Sequence, residues 1–185
     1  MRPMPATELL SRLKKAGLTL ALAESCTGGL IGDRITDVPG SSDVLRGGAV
    51  VYSNDSKVRL LGVSQDTLRA HGAVSAECAE EMSVGAAKAF RADVGLSVTG
   101  IAGPGGGTPS KPVGLVFVGI SWRKERASFR MVFEGDRRAI KDQAAAQAMD
   151  QAQHDRTQQG SRETAQATNH DNNEAFDNDL VAHSR

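Results

Sequence analysis

The sequence is short of the residues that staple, ligate or carpet a protein. Of 185 residues only two are cysteine, one is tryptophan and one is tyrosine, and aromatics make up 4%. Two thiols, Cys26 and Cys78, form no disulfide framework, and they suit a reducing, cytoplasmic setting. Neither lies near a second cysteine or a histidine at metal-ligand spacing, so no metal site is expected. Net charge is lacking too. Lys plus Arg and Asp plus Glu both number 22, so no overall field draws nucleic acid or an anionic membrane to the chain. No apolar stretch reaches the roughly 20 residues that span a bilayer. The first residues, MRPMPATELLSRLKKAG, have no apolar core of the secretory type. What is left is a chain long enough to bury one real core as a single domain.

Glycine, by contrast, is plentiful, and it marks the ends of the elements. Leu9, Leu10, Leu13 and Ala16 form the stripe of a first helix that Gly17 stops. Leu18 to Ala23 is an apolar run of strand length. It breaks into Glu24-Ser25-Cys26-Thr27-Gly28-Gly29, and Leu30, Ile31 and Ile35 then recur at helical spacing. A second strand, Val44 to Tyr52, carries Gly47-Gly48 in its middle, which signals a bulge or a close backbone approach. Ser53 or Asn54 can cap the short helix that follows it. Two further helices are expected, at Ser64 to Ala70 and from Ser75 onward. In the second, Ala79, Met82, Ala86 and Phe90 share a buried face, with acids at the start and bases at the end. Asp93 to Thr99 reads as a strand, Gly100 to Pro112 as a long glycine- and proline-rich loop, and Val113 to Trp122 as a buried strand. Phe129, Met131 and Phe133 alternate with polar neighbours over Ala127 to Glu134, which predicts a hairpin through the polar link Arg123 to Arg126. Gly135-Asp136-Arg137-Arg138 opens a last helix with a thin stripe, Ile140, Ala144 and Ala148.

Residues 1–150 therefore read as one α/β domain, a three-layer α/β/α sandwich with a mixed, mostly parallel sheet. From about Gln151 to Arg185 the composition turns polar, and that segment reads as a tail without the apolar surface to offset its ordering entropy. In open α/β sheets ligands bind beyond the carboxyl ends of the strands. Glu24–Thr27, Tyr52–Asn54 and Thr99–Gly103 all follow expected strands, so parallel strands would gather them at one edge.

Familiar motifs do not explain these clusters. Gly103 to Lys111 lacks the ending of a P-loop. Ala23–Thr27 lacks the glycines of a nucleophile elbow, and Ser53 and Lys57 are one residue too far apart for an S-x-x-K pair. Serine and cysteine at positions 25 and 26 are both candidate nucleophiles. A serine needs a base; His71 sits at a helix end and the other histidines lie in the tail. Lys57 can serve if burial lowers its pKa, and Tyr52 stands beside it.

Six segments in register carry a likeness. AESCTGG (23–29), VYSNDSK (51–57), HGAVS (71–75), TGIAGPGGG (99–107), KPVG (111–114) and GDR (135–137) together resemble the C-terminal domain of the CinA, or competence/damage-inducible, family. That family includes the nicotinamide-nucleotide amidohydrolases. The likeness spans about Thr7 to Ala148. It implies a fold similar to the anticodon-binding domains and hydrolysis of the carboxamide of nicotinamide mononucleotide, giving nicotinate mononucleotide and ammonia without cofactor or metal. By position, Ser25 is then the nucleophile, Lys57 its base and Tyr52 an assisting hydroxyl. Cys26 packs inward, since neighbours on an extended chain point to opposite sides. Thr27, Gly28, Gly29, Asn54, Thr99, Gly100, Ala102 and Gly103 line the substrate, with backbone amides over Cys26–Gly29 facing the oxyanion. Arg137 meets the phosphate through its forked donors.

A homodimer is implied as well, with Phe129–Met131–Phe133 or the Ala79–Phe90 helix as candidate contacts. The family tends to place an arginine where Lys141 stands, and its last helix is usually richer in leucine. Longer members carry an N-terminal domain with a pyrophosphatase activity, which is not expected of this sequence. The altered last helix motivates a rival reading: a non-catalytic nucleotide-binding module acting through partners in competence or DNA-damage responses.

Overall fold

The computed structural model describes residues 6–152. The order is α1 (Ala6–Lys15), β1 (Leu20–Glu24), α2 (Leu30–Thr36), a 3-10 turn (Ser41–Asp43), β2 (Leu45–Val50), α3 (Asn54–Leu61), α4 (Gln65–Ala70), α5 (Ala76–Phe90), β3 (Val94–Gly100), β4 (Leu115–Trp122) and β5 (Glu125–Val132). A final helix, α6, occupies residues 137–152. The polar tail expected near the end of the chain lies, from residue 153 on, outside the described residues.

The five strands form one mixed sheet in the order β2-β1-β3-β4-β5. β1 pairs in parallel with β2 and β3, whereas β3–β4 and β4–β5 are antiparallel. One strand, β4, therefore runs against the other four. The hairpin is tighter than the sequence predicts. Its link is Arg123-Lys124, with Arg123 at φ 54°, because β5 starts two residues before the alternating run.

Helices cover both faces. On one side Leu20 and Leu22 of β1, Leu96 and Val98 of β3 and Val116, Val118 and Ile120 of β4 pack with Leu9, Leu13, Ile31, Ile35 and Ile140. The thin stripe of α6 suffices for this: Ala144, Ala145 and Ala148 are fully buried in that cluster. On the other side Ala21 and Ala23 meet Leu61, Cys78, Met82 and Ala86 of α3 and α5.

Small residues bring α5 very close to the sheet. A Cβ on Gly95 would lie 1.9 Å from the Ser83 carbonyl oxygen, and one on Gly119 would lie 2.2 Å from that of Ala79. Ser97 between them donates its hydroxyl to the same Ala79 carbonyl at 2.6 Å. Gly47-Gly48 does both things expected of it. The β1–β2 register shifts at Leu20/Ala21, and a Cβ on Gly48 would crowd Leu22 at 2.9 Å.

The apolar residues expected at an interface between copies also pack within this chain, several of them only half-buried. Phe129, Met131 and Phe133 pack against the first cluster, and Met82, Ala86 and Phe90 pack in or against the second. No helix among the described residues is long and apolar enough to cross a membrane.

Candidate active site

Because β1, β2 and β3 are parallel, the segments that follow them emerge at one edge. There Ser25, Cys26, Tyr52, Lys57, Ala73, Val74, Thr99, Gly100, Ala102 and Arg137 enclose a cavity of about 180 Å³. Of the residues expected at the site, Ser25, Lys57, Tyr52, Thr99, Gly100, Ala102 and Arg137 are brought together. Thr27, Gly28, Gly29, Asn54 and Gly103 are not on its wall.

Lys57 is the centre of the arrangement. Ser53 caps α3 by accepting from the Ser56 amide, and that sets the first turn from which Lys57 reaches under the sheet edge. The side chain is 1% exposed. Its Nζ lies 3.1 Å from Ser25 Oγ, 2.7 Å from the Val51 carbonyl and 3.4 Å from the Tyr52 carbonyl. All three partners are neutral. Burial pushes its pKa below the usual 10.5, against smaller opposing contributions from Cys78 and Cys26, since an ammonium loses most when water is removed. A neutral amine has two N–H bonds and one lone pair. Nζ donates to the Val51 and Tyr52 carbonyls and to the Ser25 hydroxyl, and once a proton is lost the free lone pair can be turned to Ser25 Oγ.

The neighbouring thiol is the poorer nucleophile here. Cys26 also lines the cavity, yet burial raises its pKa to about 12, so it stays protonated at neutral pH. Lys57 is bonded to Ser25.

Glu24, an acid that the sequence sets at the mouth of the site, turns inward. Buried at 3% exposure, its carboxylate accepts from the amides of Gly29 at 3.0 Å, Ile31 at 3.1 Å and Gly32 at 2.8 Å. The start of α2 is thus closed by an acid five residues upstream rather than by a local cap. The Gly28 amide goes to the Ser25 carbonyl at 3.1 Å. The amides of Gly28 and Gly29, expected with those of Cys26 and Thr27 to face an oxyanion, are therefore taken up within the turn. Their own role is conformational, at φ 65° and 97°, where side chains are disfavoured. The Thr27 hydroxyl is fully buried without a hydrogen-bond partner.

Tyr52 and Arg137 meet each other. Arg137 donates to the Tyr52 hydroxyl at 3.0 Å and to the Gly103 carbonyl at 2.7 Å. Gly103 thus holds the arginine rather than lining the cavity. Tyr52 is 62% exposed, and its main-chain carbonyl, not its phenol, touches Lys57. Thr99 points its hydroxyl at the Ala73 carbonyl, 2.8 Å away. Lys141 stands over the β1–α2 turn, its Nζ 3.7 Å from where a Gly28 Cβ would be. Ala73 and Val74 are wall residues that carry no reactive group; the one sequence signal that covers them is the HGAVS segment (71–75) of the family likeness. Among the described residues no group of His, Cys, Asp and Glu converges as a metal-ligand set.

Fold and cavity together define an α/β domain with a buried serine–lysine pair where its parallel strands end. The chain belongs to the CinA C-terminal domain family, whose model matches residues 4–155. It is 51% identical over 138 residues to a CinA-like protein of Thermotoga maritima, covering 75% of this chain and 34% of that protein. The chain thus spans about a third of the length of such relatives. Among solved structures it is similar to the competence/damage inducible protein CihA of Agrobacterium tumefaciens, with 40% identity, TM-score 0.75 and coverage of 78% of this chain and 88% of that one. A CinA superfamily protein of Klebsiella pneumoniae matches at 34% identity and TM-score 0.76 over 80% of this chain and 96% of that one.

Proposed function

We propose that this protein is a nicotinamide-nucleotide amidohydrolase that releases ammonia from nicotinamide mononucleotide by a serine–lysine mechanism. The observation that carries the reading is the buried Lys57 amine 3.1 Å from Ser25 Oγ with only neutral partners. Ser25 Oγ attacks the carboxamide carbon while Lys57 takes its proton. The tetrahedral oxygen is met by the main-chain amide of Cys26, which like Ser25 lines the cavity, since those of Gly28 and Gly29 are committed elsewhere. Lys57 then returns the proton to the leaving nitrogen, and ammonia departs. Water, deprotonated by Lys57, cleaves the ester to give nicotinate mononucleotide and free Ser25. A cavity of about 180 Å³ is smaller than the roughly 300–1,000 Å³ that encloses a whole ligand. It takes the ring and carboxamide, and the ribose phosphate lies toward the mouth, where Arg137 exchanges the Gly103 carbonyl for a phosphate oxygen.

The test is ammonia release from purified protein with the mononucleotide, with and without EDTA. Turnover unaffected by EDTA supports the reading, and folded protein that releases none refutes it. A cytoplasmic homodimer that binds neither nucleic acid nor membrane, with the layered anticodon-binding-like fold, completes the proposal. Sedimentation at high micromolar concentration and gel shifts at low salt test the first two points.

A further inference from the structure

We propose that Val74 is the specificity-determining residue of this site, a fixed partition that limits the size of the ring the Ser25 cavity accepts. The proposal rests on the amidohydrolase reading for its substrate and on independent geometry for the rest.

A second cavity lies against the first. It is a groove of about 330 Å³ whose walls include His71, Ser75, Lys111, Phe117 and Arg130. Val74 is the one residue common to both walls. The chain that carries it is held at three consecutive carbonyls by side chains from three places. Lys111 donates to the His71 carbonyl at 2.5 Å, Ser75 to that of Gly72 at 3.0 Å and Thr99 to that of Ala73 at 2.8 Å. Ser75 also caps α5 through the Cys78 amide. A segment fixed in this way cannot swing aside for a larger ligand, so the isopropyl group of Val74 acts as a wall. Thr99 is then a positioning residue: its hydroxyl is spent on Ala73, and it acts on the substrate through the partition.

Discrimination by a hydrophobic wall is worth about 10–200-fold per methylene. Val74→Ala removes two methyl groups and joins the cavity to the groove. The probes are nicotinamide mononucleotides bearing one methyl at each free ring carbon in turn, beside the parent compound. We expect Val74→Ala to raise kcat/KM for one or more of them, relative to the parent, by about tenfold or more, and Val74→Ile to lower that ratio. Thr99→Val, which keeps the shape and loses the bond to Ala73, relaxes selectivity in the direction of Val74→Ala, and Thr99→Ser retains it. Val74 is only half-buried, so folding is not at stake. Calorimetric binding of the methylated nicotinate mononucleotides gives the same ratio without catalysis. An unchanged ratio in both measurements overturns the partition. Selective binding without turnover in any variant overturns the amidohydrolase reading and leaves the partition standing.

Discussion

Replacing Lys57 with methionine removes the base while keeping an unbranched chain of nearly the same reach. Nζ makes three contacts, and the two shorter ones each predict a separate result. Loss of the 3.1 Å contact to Ser25 leaves the hydroxyl with no acceptor for its proton. General-base catalysis is worth about 10²–10⁴-fold, so kcat/KM should fall by about three orders of magnitude, or about 4 kcal/mol. Loss of the 2.7 Å donor orphans the carbonyl of Val51, a fully buried residue, at about 1–3 kcal/mol. Burying a thioether in place of an amine offsets part of that, so the midpoint of thermal unfolding should move by only a few degrees. Mononucleotide binding should change little, because Lys57 faces the serine and not the phosphate. In Ser25→Ala/Lys57→Met the two losses should not add, because the groups act as one unit. The pH profile is the sharper readout. The active form is the neutral amine, so wild-type activity rises with pH through a Lys57 pKa that burial holds below 10.5. Stability follows the same sign: between the folded and unfolded pKa values the unfolded chain binds the extra proton, so stability climbs with pH in that window. Lys57→Met loses both dependences. The methods are steady-state ammonia release and thermal melts from pH 6 to 10. A variant with more than a tenth of wild-type kcat, or losses that add in the double variant, would refute the dyad.

Cys26→Ala should cost less than about fivefold in kcat, and iodoacetamide at pH 7 should leave activity intact, because a thiol raised to about 12 is protonated and buried; an inactive Cys26→Ala sinks the serine assignment. Arg137→Met should raise KM by about 10–100-fold with kcat within a few-fold, the worth of charge-assisted bonds to a phosphate, and the reverse split would place the arginine at the chemistry instead. Gly119→Ala should lower stability by about 1–3 kcal/mol or more, since its methyl would meet the Ala79 carbonyl at 2.2 Å; an unchanged denaturant midpoint would mean that α5 sits further from the sheet than described.

Local pattern made much of the site legible before any fold was known. The break from LTLALA into ESCTGG marks a strand ending in reactive groups, because a mostly apolar run that gives way to Glu, Ser, Cys, Thr and two glycines soon leaves the sheet. The strand ends at Tyr52 and Thr99 are readable on the same ground, and parallel pairing gathers all three. The site-wall residues Ala73 and Val74 could not be read this way. They act by shape alone, and nothing in their side chains separates a wall from filler. Glu24 misleads for a different reason: an acid beside a serine and a cysteine reads as chemistry, but three amides of Gly29 and the first turn of α2 take its carboxylate.

The sequence by itself determined most of the strands and helices, which faces of them are apolar, and that Ser25, Tyr52 and Thr99 would stand at strand ends with Lys57 just beyond one of them, because these follow from periodicity and from short-range covalent geometry; Arg137 was marked only by the family resemblance. Only the tertiary structure decided that Lys57 lies 3.1 Å from Ser25 in a buried setting, that the Gly28 and Gly29 amides are taken up within the turn, and that Arg137 grips Tyr52 and Gly103 across 85 and 34 residues of chain. Hydrogen-bond commitment and desolvation depend on what packs across the sheet edge, and that information is spread over the whole chain rather than held in any one motif.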